Sequence, residues 1–408
     1  MEKTLQPTRD TERHSLLDAL RGFALLGVLL ANMVSHSGYF FLSESQRAAF
    51  DTAQIDHYVE WIEHFLIDGK FYSLFSMLFG IGFALQMKRA SATDMNFASR
   101  FRRRLLIMFV LGLLHAILFY VGDILTVYAI TGLFLILFRN KSDRFILRAA
   151  VILTLLPIVQ YAMMLGVNLA NPPAPSPPET GPRFLDQVID TYRTGSYPEI
   201  ITNNLGGLII GRYPDLFFTG RFFRVLAMFL IGFYVSKNLI YANVQAYRPL
   251  IRKVMVWAVV IGIPCNMVLA MMMTSEAYYN LELTGIIQPI VYAFGVPALC
   301  LFYASAFTLL FEKPDWKKRL SVFAPVGQMA LTNYLMQSVI CAFIFMSYGL
   351  AMEASIGPAK LSLIAFAIYI GQLIYSPIWL LYFHFGPAEW LWRSLTYRKL
   401  QPFRKEDL

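Results

Sequence analysis

The residues that could do chemistry in this chain are few, and they sit in or beside long apolar runs. His115, in Gly112-Leu-Leu-His115-Ala, is followed by Asp123 in Gly122-Asp123-Ile-Leu. An imidazole held by a carboxylate can act as a general base, although a histidine in an apolar helix can equally bond a neighbouring helix. Eight residues separate the two, so Asp123 reaches His115 only if the helix ends between them, and Asp68 is an equal candidate. Asp18 and Arg21, three apart, can pair on one helix face, with Ser15 and Asp18 in a capping-box pattern. Alternatively, the Arg21 guanidinium faces a phosphate-bearing substrate from the cytoplasm. Asn32 and His36, four apart, share a face at the other end of the same run. His57, His64 and Asp68 form one stripe and Lys70 follows; the histidines read first as solvated outer-loop residues, while Asp68 and Lys70 suit a substrate or proton path. Their spacing does not match a zinc site, and no metal is expected. Asn333 and Gln337, again four apart, either join helices or line a polar cavity. No Walker loop, GxGxxG, HExxH or GxSxG pattern is present.

The elements that position these residues follow from composition. The chain has 408 residues, 57% hydrophobic and 15% charged. Soluble domains run at about 45–50% apolar and about 25% charged, so too few polar residues exist here to cover a globule. An outer-membrane barrel would show alternating segments of roughly ten residues rather than long apolar runs. The expected class is therefore all-α, a polytopic membrane protein in a lipid bilayer, with residues 1–408 as one membrane domain. Spans of about 20 apolar residues fall at 16–35, 64–86, 104–121, 124–138, 146–168, 222–241, 254–273, 286–311, 324–348 and 362–385. That is ten transmembrane helices, the third and fourth forming a tight hairpin around Gly122-Asp123.

The net charge of +9 becomes a topology signal on this map. Of the 35 Lys and Arg residues, 26 fall on the side that holds both chain ends and six on the other. Excess Lys and Arg collects in cytoplasmic loops, which places both termini in the cytoplasm and removes the need for a nucleic-acid partner. The start of the chain is long and mixed in charge, unlike a signal peptide. Residues 169–221 form the longest extracytoplasmic loop: a Pro-rich stretch, then Ile200 to Gly220, half apolar and Gly-rich, expected as a re-entrant or interfacial helix. Cys265, Cys300 and Cys341 lie inside apolar runs as small core residues. The tail around Glu389, Trp390, Trp392 and Arg393 mixes Trp with basic residues and reads as an interfacial anchor.

Several of these stretches carry a resemblance. Leu17-Asp18-Ala19-Leu20-Arg21-Gly22 with Asn32-Met33, then Phe79-Gly80-Ile81-Gly82, resembles the YeiB-like bacterial membrane proteins of unknown function. So do Arg103-Arg104 with His115, Gly122-Asp123 with Tyr128, Ala330-Leu-Thr-Asn333-Tyr334 with Gln337, and Phe385-Gly-Pro-Ala-Glu389-Trp390-Leu-Trp392-Arg393. Through Asp18, Arg21, Gly22 and Asn32 the chain is also similar, more distantly, to membrane acyltransferases of the heparan-glucosaminide N-acetyltransferase type. That resemblance implies transfer of an acyl group from cytoplasmic acyl-CoA to an extracytoplasmic small-molecule or glycan acceptor, across a bacterial inner membrane. It implies a catalytic part for Asn32 and His36, although the spacing to the histidine differs. His115 or His36 would be the base, and Arg21 would hold the CoA phosphates. The alternative is a proton-coupled secondary transporter of a small solute, with Asp68, Lys70, His115 and Asp123 along its path.

Overall fold

The computed structural model describes residues 14–89, 97–172, 183–272 and 275–405. In chain order its helices are α1 (Ser15–His36), α2 (Glu44–Ala48), α3 (Ala53–Leu66), α4 (Lys70–Arg89), α5 (Phe97–Leu118) and α6 (Leu125–Leu135). There follow α7 (Asp143–Ala170), α8 (Phe184–Thr194), α9 (Tyr197–Gly206), α10 (Tyr213–Phe218), α11 (Arg221–Lys237) and α12 (Val244–Met272). The last are α13 (Ile287–Phe311), α14 (Pro314–Leu320), α15 (Ala324–Gln328), α16 (Ala330–Phe345), α17 (Pro358–Tyr382) and α18 (Pro387–Tyr397). No β-strand occurs among the described residues, only an isolated bridge between Phe383 and Arg404. In a bilayer each backbone polar group must be satisfied within its own segment, and helices do this.

Six helices are long and apolar enough to cross a membrane, or eight if two bent pairs each count as one span. The pairs are Tyr197–Phe218 with α11, bent by 59°, and Pro314–Gln328 with α16, bent by 76°. The two remaining expected spans have identifiable shortfalls. α5 carries Arg100, Arg102, Arg103 and Arg104 in its first two turns. The Leu125–Phe138 helix has 14 residues, which reach about 21 Å against the ~30 Å of a hydrocarbon core.

α1 is the centre of the bundle and packs against α4, α13, α15, α16 and α17. α4 turns its other side to α11, while α12 and α13 form a pair reaching α3 and α7. The α4–α11 crossing is close because glycines face each other. A Cβ on Gly80 would run into the Phe229 carbonyl, and one on Gly232 into the Met77 carbonyl. Small residues permit this approach where van der Waals packing must hold helices together in lipid.

Some local expectations are corrected. Ser15 does not cap α1: the helix begins at Ser15, and His14 holds the N-cap without a side-chain bond. Asp18 instead accepts from Arg21 Nη1 at 2.8 Å. The expected span 324–348 is broken at Met329, where α16 starts afresh. Its new N-terminus is held by Glu389, which accepts from Leu331 N at 2.6 Å, Thr332 N at 3.1 Å and Thr332 Oγ1 at 2.5 Å. A carboxylate at orphan helix N–H groups is favourable. The tail is thus packed into the fold as α18, with Trp392 Nε1 donating to the Arg104 carbonyl at 3.0 Å. Cys300 and Cys341 are buried free thiols, as expected, and Cys265 is partly exposed. Of the Pro-rich stretch, residues 173–178 lie outside the described residues.

Candidate functional site

α5 ends at Leu118, and the chain turns through 119–124 before α6 starts. The turn brings Asp123 back onto α5, where its Oδ1 lies 2.9 Å from His115 Nδ1. Asp123 Oδ2 accepts from Thr126 N at 2.7 Å, so one carboxylate serves both the imidazole and the start of α6. Both side chains are almost fully buried. An ionised carboxylate only accepts, so the proton belongs on Nδ1, and Nε2 is left with its lone pair. Nε2 is buried and has no hydrogen-bond partner among the described residues. Asp68, the other candidate acid, lies instead 3.7 Å from His64 Nδ1.

Aromatic rings surround the imidazole. Tyr334 lies 5.1 Å from it and Tyr120 6.3 Å, centroid to centroid. His36, buried at the end of α1, stacks on the far side of this cluster with its ring 3.7 Å from that of Tyr120. The two histidines therefore share one aromatic nest, but only His115 has a carboxylate.

Beside the nest runs a cavity of about 1320 Å³. Arg21, Leu25, Val28, Asn32 and Ser35 of α1 line it at intervals of three to four residues, one helix face over about 21 Å. Tyr72, Phe75, Phe79, Gly82 and Gln86 of α4 line it over a similar length. The middle is apolar and aromatic. One end is lined by Arg21, Arg104, Gln328, Glu389 and Arg393, the other by Asn32, Glu63, His64, Asp68, Arg212 and Arg221. Tyr120 and Tyr334 contribute to its wall, and Gly122 and Ile124 flank Asp123 there.

The residues singled out by sequence separate in this frame. Arg21, Asn32 and Asp68 line the cavity, while His115, Asp123 and His36 sit behind its tyrosine wall. Asn32 lines the void, and no side-chain hydrogen bond of its amide occurs among the described residues. Lys70 does not line it: its buried ammonium donates to the His64 carbonyl at 2.5 Å and closes the break between α3 and α4. Of the two readings for Asn333 and Gln337, helix joining is the one observed. Asn333 Nδ2 donates to Ser376 Oγ and the Val326 carbonyl, both at 3.1 Å, and Asn333 Oδ1 accepts from Tyr375. Gln337 Nε2 donates to Gln372 Oε1 at 2.8 Å, so the pair ties α16 to α17.

Other lining residues were not anticipated. Arg104 was read as a topology charge and as part of a family motif, without a site role, yet its guanidinium stacks on Trp392 at 3.7 Å at the cavity end. Gly207 and Gly211 were read only as part of a Gly-rich segment. They lie in a wide helical turn, Gly207–Arg212, with six residues that line the void in part. A Cβ at Gly211 would meet nothing, so this position leaves space open. The one available signal was Arg212 itself, a charge inside a half-apolar segment.

The family described as "Protein of unknown function (DUF418)" matches residues 235–399. The uncharacterized protein YxaH of Bacillus subtilis (strain 168) is 32% identical over 424 aligned residues, covering 99% of this chain and 99% of its own. The chain belongs to the DUF418 family. An uncharacterized 39.9 kDa protein in the amylase 3' region of Bacillus acidopullulyticus is 28% identical over 98% of both chains. The uncharacterized protein YeiB of Escherichia coli (strain K12) is 28% identical, over 96% of this chain and 98% of its own. No solved structure matches. The DUF418 match takes in the α16–α17 joint and Glu389 at one cavity end. Arg21, Asn32, His115 and Asp123 precede it, within the stretch that YxaH and YeiB cover.

Proposed function

We propose that this DUF418 protein is an inner-membrane acyltransferase that takes an acyl group from cytoplasmic acyl-CoA and gives it to a small-molecule or glycan acceptor on the outer side. The observation that carries this is the single void that runs along about 21 Å of α1 between an arginine-rich end and the neighbourhood of a carboxylate-held histidine. The orientation rests on the charge asymmetry, which puts the Arg21 end in the cytoplasm. Arg21, Arg104 and Arg393 suit the phosphates of CoA, since guanidinium binds phosphate in a fork. The apolar middle suits an acyl-pantetheine arm, and a thioester supplies the activated acyl carbon.

At the far end His115 is the base and Asp123 holds its tautomer. Nε2 takes the hydroxyl or amine proton of the acceptor and returns it to the departing thiolate, as the C–S bond breaks and the acceptor–acyl bond forms. Tyr120 and Tyr334 screen the imidazole, so access requires one of these rings to turn. Asn32 positions the acceptor. His36, stacked and without a carboxylate, supports Tyr120.

The test is release of free CoA from acetyl-CoA by the protein in nanodiscs, followed by mass spectrometry with cell extract as acceptor. His115→Gln and Asp123→Asn should each lower turnover by about 10²–10⁴ without loss of the folded peak. Absence of acetyl-CoA binding and of CoA release by the wild type would sink the reading.

One observation favours a second reading, proton-coupled transport: Asp68 and His64 both line the void. Loss of proton-driven solute uptake in proteoliposomes by folded Asp68→Asn, with no CoA release by the wild type, would replace acyl transfer with transport.

A further inference from the structure

We propose that Arg212 and Arg221 form a binding site for a phosphate ester at the end of the cavity opposite Arg21. Both guanidinium groups line the void, and each has a buried Nε with no hydrogen-bond partner. They come from the two halves of the pair bent by 59°: Arg212 ends the wide turn Gly207–Arg212 within Tyr197–Phe218, and Arg221 opens α11. Arg212 is aimed from behind, because its Nη2 donates to the carbonyls of Gly122 at 3.1 Å and Asp123 at 3.2 Å. Arg221 is supported by the Tyr72 ring, 5.4 Å from its guanidinium carbon.

The two cations are close enough to repel each other, and Asp215, Asp68 and Asp123 lie within electrostatic reach. Neither arginine forms an ion pair with these or any other described carboxylate. Asp68 turns instead to His64. Partly buried like charges whose Nε groups are buried without an acceptor are costly unless a ligand completes them. A phosphate ester does so, since its several oxygens accept from two forks at once. The rim favours a lipid source: Phe40, Phe184 and Ile210 line the same cavity and are 63%, 68% and 73% exposed. An acyl chain can leave along such a rim while the headgroup stays between the arginines.

As the seat of the acyl acceptor, this site rests on the acyl-transfer reading; as a phosphate site it does not, and binding is therefore measured without any thioester. The full-length protein in non-ionic detergent is titrated with phosphatidylglycerol, with glycerol phosphate and with inorganic phosphate, read by native mass spectrometry and by melting temperature. Phosphatidylglycerol should bind and raise the melting temperature, and Arg212→Gln and Arg221→Gln should each weaken it by about tenfold or more. Arg221→Lys, which keeps the charge, should bind more tightly than Arg221→Gln, separating ligand loss from a folding defect. Arg224→Gln, outside the cavity and stacked on Tyr292, should bind as wild type. Tighter binding of glycerol phosphate than of the lipid would keep the site and move it to soluble esters. Wild-type affinity in a folded Arg212→Gln, Arg221→Gln double variant, or binding of none of the three probes by the wild type, would overturn the proposal.

Discussion

α1 and α12 are both long apolar rods, yet they occupy opposite positions. The most apolar window of α12 has a mean hydropathy of 2.2 and is 28% buried, whereas that of α1 has 1.6 and is 67% buried. α7 follows α12, at 2.0 and 22%, and the stretch through α3 and α4 follows α1, at 1.2 and 56%. The order is the reverse of a soluble protein, where the most apolar segments go inside. Lipid is as apolar as leucine, so hydrocarbon side chains gain nothing by leaving it. What is driven inward is the polar remainder, together with the small residues that let backbones approach. The inner helices therefore carry Arg21, Asn32 and close-packed glycines such as Gly80, with Asp68 at the break before α4, and the outer α12 presents Val256, Trp257 and Val260 outward.

The hardest test of that contrast is steric. Gly232→Leu on α11 should drive a side chain into the Met77 carbonyl of α4, with an expected cost of about 3 kcal/mol or more. The readout is loss of the monodisperse peak or a large fall in melting temperature in detergent. Val260→Leu on the outer face of α12, where Val260 is 55% exposed, is the control and should stay within about 0.5 kcal/mol. Equal losses in the two variants would erase the distinction between the rings.

A smaller effect is expected where the inner and outer sets are joined. Gln337→Leu removes the bond to Gln372 of α17 and leaves that buried amide oxygen without its donor. The expected loss is about 1–2 kcal/mol, since interhelical bonds in bilayers are worth less than burial alone implies. An unchanged melting temperature would show that α16 and α17 are held by packing instead.

Legibility followed the same physics. Apolar runs made the helical class readable, because the bilayer imposes a length on each segment. The hairpin at Gly122-Asp123 was readable from its turn residues, and with it the chance that Asp123 meets His115. Its rival Asp68 could not be excluded, since the choice depends on how α4 and α5 rotate about their axes. Asn333 and Gln337 stayed ambiguous because one periodicity serves both a joint and a cavity wall. Arg104 and Glu389 were hidden by position: near a span's end a charge reads as topology or anchorage, and only tertiary contact shows that Glu389 holds α16 and that Arg104 borders the void. The break at Met329 was missed because its cause, a carboxylate 60 residues away, is not local. Lys70 was read as a path residue, since sequence shows a charge at membrane depth but not the carbonyl it closes.

The smallest expected effect lies outside the spans, where burial of a charge should follow the ordinary rule for soluble proteins. Glu353, between α16 and α17, is 2% exposed. Burial raises its carboxyl well above the usual 4.5, and Arg193 opposes this only in part. Its amide donates to the Phe345 carbonyl at 2.9 Å, and its side chain lies against Gly38. A carboxyl whose folded pKa is raised contributes stability in full below the unfolded value, and that contribution is lost as pH rises through the folded one. The melting temperature of the wild type should therefore fall as pH rises above about 4.5, while Glu353→Gln, neutral throughout, should flatten the slope. The control is Asp51→Asn. Asp51 is an exposed carboxylate held low by its bond to Lys360, so it is ionised throughout that window and its loss should leave the slope as in the wild type. A wild-type slope of the opposite sign, or one that persists in Glu353→Gln, would mean that water or a cation reaches this carboxylate. The loop would then not share the dry interior of the inner helices.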